Sequence, residues 1–235
     1  MRREHAIIGG GAPLPPFAEN LVFWAPLTEG DLTDHISGET GTTSAGASVQ
    51  WDGNLGMYLL SVSTTDPYGR GHDCCALKYN GSQFRNNFRG VYDNCTMFFV
   101  LRENTYVAGN GGTDRFCTSR YVSFSALKEV WETSPRANVM VDGNRLHSGN
   151  PIDPSQTIKA VVVLENGFAK YYKNGAQTQS VSWDSLADPL SLAIMDKNGH
   201  ATATSSGYNT ISASAYIKDV RVYNRVLTVE EILQL

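Results

Sequence analysis

The chain reads as all-β, two antiparallel sheets packed as a β-sandwich with a short helical turn at the C-terminus. Three observations predict this. Short runs rich in Val, Ile, Tyr, Phe and Thr recur, separated by Asp52-Gly53, Asn80-Gly81, Asp142-Gly143, Asn166-Gly167, Asn174-Gly175 and Asn198-Gly199. Asn-Gly and Asp-Gly suit turns that need positive φ at both central residues, so these pairs mark hairpins and strand ends. No long amphipathic helical pattern interrupts the series, and 22 glycines suit a many-turned β chain. In the closing stretch, Ala215 to Tyr223 has strand composition, and Thr228 with Glu231 has the spacing of a capping box.

In chain order, residues 1–19 form an extended or flexible lead-in, punctuated by Gly9-Gly10-Gly11 and Pro13-Leu14-Pro15-Pro16. Prolines favour extended backbone and donate no amide, so the segment suits a docking arm or a disordered end. Residues 21–27 are the first strand, and Pro26 places it at an edge or ends it. Residues 28–38 carry turn chemistry, with Asp and Ser side chains able to bond nearby amides. Residues 49–51 and 56–62 pair around Asp52-Gly53; 74–79 is a strand; 96–102 is apolar enough to be central; 116–124 and 138–141 are further strands. Residues 125–130 suit a short helical turn. The clearest hairpin joins 158–164 to 168–172 across Asn166-Gly167, and 190–195 is a late strand. In the final segment Ile232, Leu233 and Leu235 supply apolar surface to bury.

The chain of 235 residues is 41% hydrophobic, enough for one sizeable core. A net charge of −4 and no Lys/Arg run speak against nucleic acid as a partner. No apolar run reaches membrane-span length. The basic start, Met1-Arg2-Arg3, is followed by no adequate apolar stretch, so no secretory signal is read, and a cytoplasmic or virion-associated place is expected over secretion. Cys74, Cys75, Cys95 and Cys117 include no Cys-x-x-Cys pair; buried thiols are the favoured reading and disulfides the other.

Three segments together resemble the laminin G-like jelly rolls of the concanavalin A-like lectin/glucanase superfamily. Leu21 to Leu27 with Asp34-His35-Ile36-Ser37-Gly38 is similar to the family's opening strand and Asp-x-Ser-Gly type turn. Ala160 to Val163 through Tyr171-Tyr172-Lys173-Asn174-Gly175 is similar to its central hairpin, and Tyr216 to Leu227 to its last strand, ahead of a Glu-Glu-Ile turn. The three sit in family order. The resemblance implies a jelly roll over residues 20–235, with the last strand returning beside the first so that Val220 and Val222 seal the core. The middle, about residues 60–155, matches loosely, and Gln156-Thr157 stands where the family often has Trp.

The superfamily contains glucan hydrolases, whose retaining chemistry needs two carboxylates about 5 Å apart. The Glu-x-Asp-x-x-Glu pattern that supplies them is absent, and Glu129 with Glu132 would fall on opposite faces of a strand. No Gly-x-Ser-x-Gly elbow occurs, and the five histidines form no triad arrangement. His72-Asp73-Cys74-Cys75 reads as a loop entering a strand rather than a metal site. The expectation is a non-enzymatic binding domain, for carbohydrate or adhesion, with a phage or virion tail-associated protein as the alternative and a glycoside hydrolase of the same fold as the remote one. A glycan or cell-surface polysaccharide is the expected partner, and an assembly partner could engage residues 1–19. Sugar recognition needs an exposed ring beside hydrogen-bonding groups, which nominates Tyr68 with Arg70, Trp131, and Tyr208 with Asn209. Trp24, Trp51 and Trp183 read as core. No cofactor is required by these residues; Asp31 and Asp34 could hold calcium, as many laminin G-like domains do, or could anchor a turn.

Overall fold

The computed structural model describes residues 13–43, 48–60, 63–65, 71–73, 77–79, 81–88, 94–103, 112–119, 122–128, 136–141, 144–145, 157–182, 192–194 and 215–235. The strands are β1 (Leu21–Ala25), β2 (Thr42–Thr43), β3 (Ser48–Asp52), β4 (Gly56–Leu60), β5 (Ser63–Thr65), β6 (Gly71–Asp73), β7 (Leu77–Tyr79), β8 (Asn94–Glu103) and β9 (Gly112–Ser119). They continue with β10 (Val122–Lys128), β11 (Arg136–Val141), β12 (Asn144–Arg145), β13 (Thr157–Glu165), β14 (Phe168–Lys173), β15 (Ala176–Ser182), β16 (Leu192–Ile194) and β17 (Ala215–Tyr223). Two short helices, α1 (Ser82–Phe88) and α2 (Val229–Ile232), and a 3-10 turn at Ala18–Asn20 complete the described elements. The chain is therefore mostly antiparallel β. An eight-stranded sheet runs β15-β14-β13-β8-β17-β4-β3, with β1 also paired to β17, and a seven-stranded sheet runs β12-β11-β10-β9-β16-β7-β2.

The apolar run of β8 is central because it lies between β13 and β17, and a strand with neighbours on both sides and cover on both faces reads as continuous apolar sequence. Two adjacent rows across five strands show the cover. Trp24, Arg221, Phe98, Val161 and Tyr172 are register partners in turn and share one face. Phe23, Val222, Met97, Val162 and Tyr171 form the next row, on the other face. All ten residues are buried. The Phe23 row faces the second sheet: its ring meets Tyr79 of β7 edge-on at 4.9 Å and Phe84 of α1 at 6.1 Å. The Trp24 row lies under the two chain ends, joining Leu227, Ile232 and Leu235 in one apolar cluster with Phe17, Ala18 and Ile36 against it.

β17 is the strand that joins these parts. Its first half meets β4 at Ile217↔Met57 and its second half pairs with β1 from Val220 to Tyr223. The changeover falls at Asp219, which has φ 57 and interrupts the register with β8 between Lys218 and Arg221, a β-bulge. Val220 and Val222 are buried at the seam with β1, as expected from the sequence. The hairpins also follow it. Asn166-Gly167 has φ 49 and 78, and Asn174-Gly175 has φ 50 and 82, so β13, β14 and β15 follow one another through turns with both central φ positive. The Thr228/Glu231 capping box is formed in full.

Three expectations change. Of residues 125–130, 125–128 lie in strand β10, hydrogen-bonded on both sides by β9 and β11, rather than in a helical turn, and 129–130 lie outside the described residues. Residues 116–124 split into the end of β9 and the start of β10, an antiparallel pair rather than one strand. Leu233 is 65% exposed, while Ile232 and Leu235 are buried. The helix turns only one face to the cluster, and Leu233 lies on the other, over Gly175. Of the lead-in, Pro13 to Glu19 are described: Pro15 is buried, the Pro16 carbonyl accepts from Tyr223 Oη at 3.1 Å, and Phe17 lies 5.4 Å from the Arg225 guanidinium. Cys95 is buried in β8, and Trp24 is buried while Trp51 is half-buried. Cys74, Cys75 and Trp183 lie outside the described residues.

Candidate functional site

Among the sequence-nominated residues, Asp31 and Asp34 are described, in the loop that leaves β1. Asp34 is fully buried. Its Oδ1 accepts from the amides of Trp24 at 2.9 Å and Ile36 at 3.1 Å. Its Oδ2 accepts from Ser37 N at 3.2 Å and Ser37 Oγ at 2.5 Å. A carboxylate offers about four lone-pair positions, and the protein's own donors use them all. Burial pushes the Asp34 pKa up, and the bonds from Ser37, Trp24 and Ile36 offset only part of that. Backbone bonds complete the anchor: His35 N to Trp24 O at 2.7 Å, Asp34 N to Glu39 O at 2.8 Å and Gly38 N to Asp34 O at 2.8 Å. The Asp-x-x-Ser sequence thus ties a turn to the first strand, the side chain-to-backbone role that the sequence also allowed.

Asp31 is less buried. It accepts from Thr33 N at 2.9 Å through Oδ1, and its Oδ2 is 2.7 Å from His35 Nε2. Burial raises its pKa, but the bonds from His35 and Thr33 outweigh that and hold it low. The His35 ring lies 5.0 Å from the Trp24 ring. A calcium ion at Asp34 would have to displace amide and hydroxyl donors, so the donor set fits a turn anchor better than a metal pair. Among the described residues no group of three or more His, Cys, Asp or Glu is placed to hold a metal ion.

A second polar cluster sits under the chain ends and was not legible as such. Asp219 Oδ1 accepts from Trp24 Nε1 at 3.2 Å and from Arg221 Nε at 2.7 Å, and Asp219 Oδ2 pairs with Arg221 Nη2. Asp219 N donates to Pro26 O at 2.9 Å. Arg221 is 8% exposed and its guanidinium lies 4.7 Å from the Phe98 ring centre. Burial alone would lower the Arg221 pKa; the Asp219 carboxylate more than reverses that. Burial pushes the Tyr223 hydroxyl up despite Arg221 beside it. The signal available in sequence was Asp219 and Arg221 two apart on one strand, which put them within reach of each other. Their third partner, Trp24, is distant in the chain.

A third cluster fixes the C-terminal turn. Arg225 makes a two-pronged pair with Glu231, at 2.7 and 2.8 Å, and Arg225 Nε donates to Asn20 Oδ1 at 2.8 Å. Glu231 Oε2 also accepts from Thr228 N at 2.9 Å. Arg225 and then the Thr228 amide hold the Glu231 pKa down at about 2. In all three clusters the carboxylates bind donors of the fold itself.

Tyr68, Arg70, Trp131, Tyr208 and Asn209 lie outside the described residues, in three segments that join described strands. Around Tyr172 and Phe98, one face of the eight-stranded sheet is covered by Leu227, Ile232 and Leu235. Among the described residues, no helix is long and apolar enough to cross a membrane.

No protein-family model matches the chain, and no curated protein matches it in sequence. Solved structures do match in shape. The binding domain of botulinum neurotoxin serotype D superposes with a TM-score of 0.54 at 13% identity, covering 92% of this chain and 51% of that one. The binding domain of botulinum neurotoxin DC, solved in complex with SialylT, gives 0.56 at 14%, covering 92% and 50%. Trypanosoma rangeli sialidase gives 0.61 at 15%, covering 97% of this chain and 33% of that one. The chain thus spans about half of the neurotoxin chains and a third of the sialidase chain. At this identity the likeness is one of fold, and it places the chain among the β-sandwich and jelly-roll type domains.

Proposed function

We propose that this chain is a non-catalytic binding domain for carbohydrate, built as a laminin G-like jelly roll of the concanavalin A-like superfamily. The observation that carries the reading is the likeness, over 92% of the chain, to toxin binding domains, one of them in complex with SialylT. The Trypanosoma rangeli sialidase match is a likeness of fold and transfers no catalytic residue. The non-catalytic half of the proposal draws on Asp31, Asp34, Asp219 and Glu231, whose carboxylates bind donors of the fold. The proposed contacts are Tyr68, Arg70, Trp131, Tyr208 and Asn209. An aromatic ring takes the apolar face of a sugar, and Arg or Asn takes its hydroxyls. The test is a glycan array followed by calorimetric titration of the strongest ligand, with and without calcium. Saturable binding supports the proposal, and calcium dependence would revive Asp31 as a ligand. No binding to any glycan under either condition overturns it.

A second reading, an adhesive or tail-associated structural component, draws support from Leu14, which is 59% exposed on a segment anchored through Pro16 and Phe17. There residues 1–19 would engage an assembly partner. Co-sedimentation with assembled particles, lost on deletion of residues 1–12, is its test.

A further inference from the structure

The ends of the two large sheets are not alike. A terminal strand exposes a row of amides and carbonyls, and folded proteins usually blunt it by shortness, charge, proline or a bulge. β12 and β2, which end the seven-stranded sheet, are two residues each. β15 ends the eight-stranded sheet on one side and carries a bulge at Thr178, where Tyr171 pairs with Gln179 and Tyr172 with Gln177. Among the described residues β1 also pairs on one side only, but it is buried along its whole length. β3 carries no proline and no bulge, and its one charge, Asp52, stands at its end. It pairs in unbroken register with β4 from Ser48↔Leu60 to Asp52↔Gly56, and among the described residues nothing pairs with its other side. Val49, Gln50 and Trp51 are half-buried and Ser48 is exposed.

We infer that β3 is a dimerisation edge, and that its partner is β3 of a second copy of this chain, antiparallel about a two-fold axis at Gln50. The sequence Ser48-Val49-Gln50-Trp51-Asp52 is self-complementary about that axis. Val49 of each copy falls opposite Trp51 of the other, a β-branched residue against an aromatic, one of the favourable cross-strand pairs. These two share a face, so both pairs form on the same side of the joined sheet. Gln50 meets its own copy on the opposite face, where two amides can each donate and accept. Asp52 falls opposite Ser48, so no like charges oppose. The Asp52 carboxylate is already engaged by the amides of Asn54 at 2.9 Å and Leu55 at 3.0 Å. Lys218 is turned to the Asn54 carbonyl at 2.8 Å. The joined sheets would run continuously through both copies. An edge of five residues is small, so association is reversible and concentration-dependent. A dimer presents its binding surfaces in pairs, which raises avidity for a repeated ligand.

The test is sedimentation velocity of the full chain over a wide concentration range, beside Gln50→Lys and Gln50→Glu. Position 50 is on the axis, so either substitution sets two like charges opposite each other. The wild type is expected to shift from monomer to dimer with concentration, and each variant to weaken dimerisation by about tenfold or more. Mixing the two variants puts Lys opposite Glu and is expected to restore the dimer. Unchanged thermal melts of both variants keep folding out of the comparison. A wild type that stays monomeric throughout, or variants that dimerise as well as it does, would overturn the inference.

Discussion

Replacing Asp219 tests why the central strand can serve two neighbours. Its carboxylate faces the buried guanidinium of Arg221 and accepts the Trp24 indole N–H. Its backbone sits at φ 57, where Ala is costlier than Asp or Asn. Removing one member of a buried ion pair costs about 3–5 kcal/mol, because the other charge is left without compensation. Asp219→Ala adds a left-handed backbone penalty of about 1 kcal/mol. With both effects the expected loss is about 4–6 kcal/mol. At a urea slope of about 2.5 kcal/mol per molar, the midpoint should fall by ~2 M with the slope unchanged. Asp219→Gly removes the charge but relieves the backbone, so it should be about 1 kcal/mol milder than Ala. The double variant Asp219→Asn with Arg221→Met removes both charges and keeps a residue that tolerates the turn. It should recover most of the loss, since uncharged replacements of a buried pair are often near neutral. A loss under about 1 kcal/mol for Asp219→Ala, or a double variant as unstable as the single, would refute the reasoning.

Gly56 has φ +100, and a Cβ there would lie 2.5 Å from the Ile217 carbonyl oxygen, so Gly56→Ala should cost more than about 2 kcal/mol. Gly30→Ala, at φ +80 with nothing near, should cost about 1 kcal/mol; equal losses in paired urea titrations would deny the close approach. Asp34→Ala strands the Trp24, Ile36 and Ser37 amides and should cost about 3–5 kcal/mol, read as a lowered urea midpoint. For Glu231 the folded pKa, about 2, lies below its unfolded value near ~4.3, so its contribution is present above pH ~4.3 and fades as pH falls toward 2. Melting curves of wild type and Glu231→Gln should therefore differ at pH 6 and converge near pH 2; a gap that persists at the lowest pH would show that the carboxylate's charge is not what holds the turn.

What could be read from the sequence was what local chemistry decides. Asn166-Gly167 and Asn174-Gly175 can hold only a few turn types, and both hairpins formed where those pairs stand. Thr228 and Glu231 satisfy each other within one turn, so the cap needed no distant partner. The rest depends on distant partners. Ser82 to Phe88 has two asparagines and little helical pattern, yet it is α1, with Phe84 buried against Phe23. Ser125-Ala126-Leu127-Lys128 carries good helix formers, yet two flanking strands claim its backbone. The bulge at Asp219 has no glycine to announce it, because what holds it is Arg221, the Pro26 carbonyl and the Trp24 indole. Asp31 and Asp34 were visible as candidates, but the spacing that suits a metal also suits an amide-capping turn, and burial with four donors gives Asp34 the second role. The nominated sugar contacts fall in connecting segments, whose composition says little about the surface they make.

The proposal that this chain binds carbohydrate without cleaving it is tested most directly by one incubation read in two ways. An array-selected oligosaccharide is titrated into the wild-type chain and into Tyr68→Ala and Trp131→Ala, and the same samples are assayed for released reducing ends. The account predicts saturable binding by the wild type, binding weakened about tenfold or more by loss of a stacking ring, and the oligosaccharide recovered intact. Binding unaffected by both substitutions would contradict the proposed contacts, and time-dependent release of reducing ends would contradict the non-catalytic reading itself.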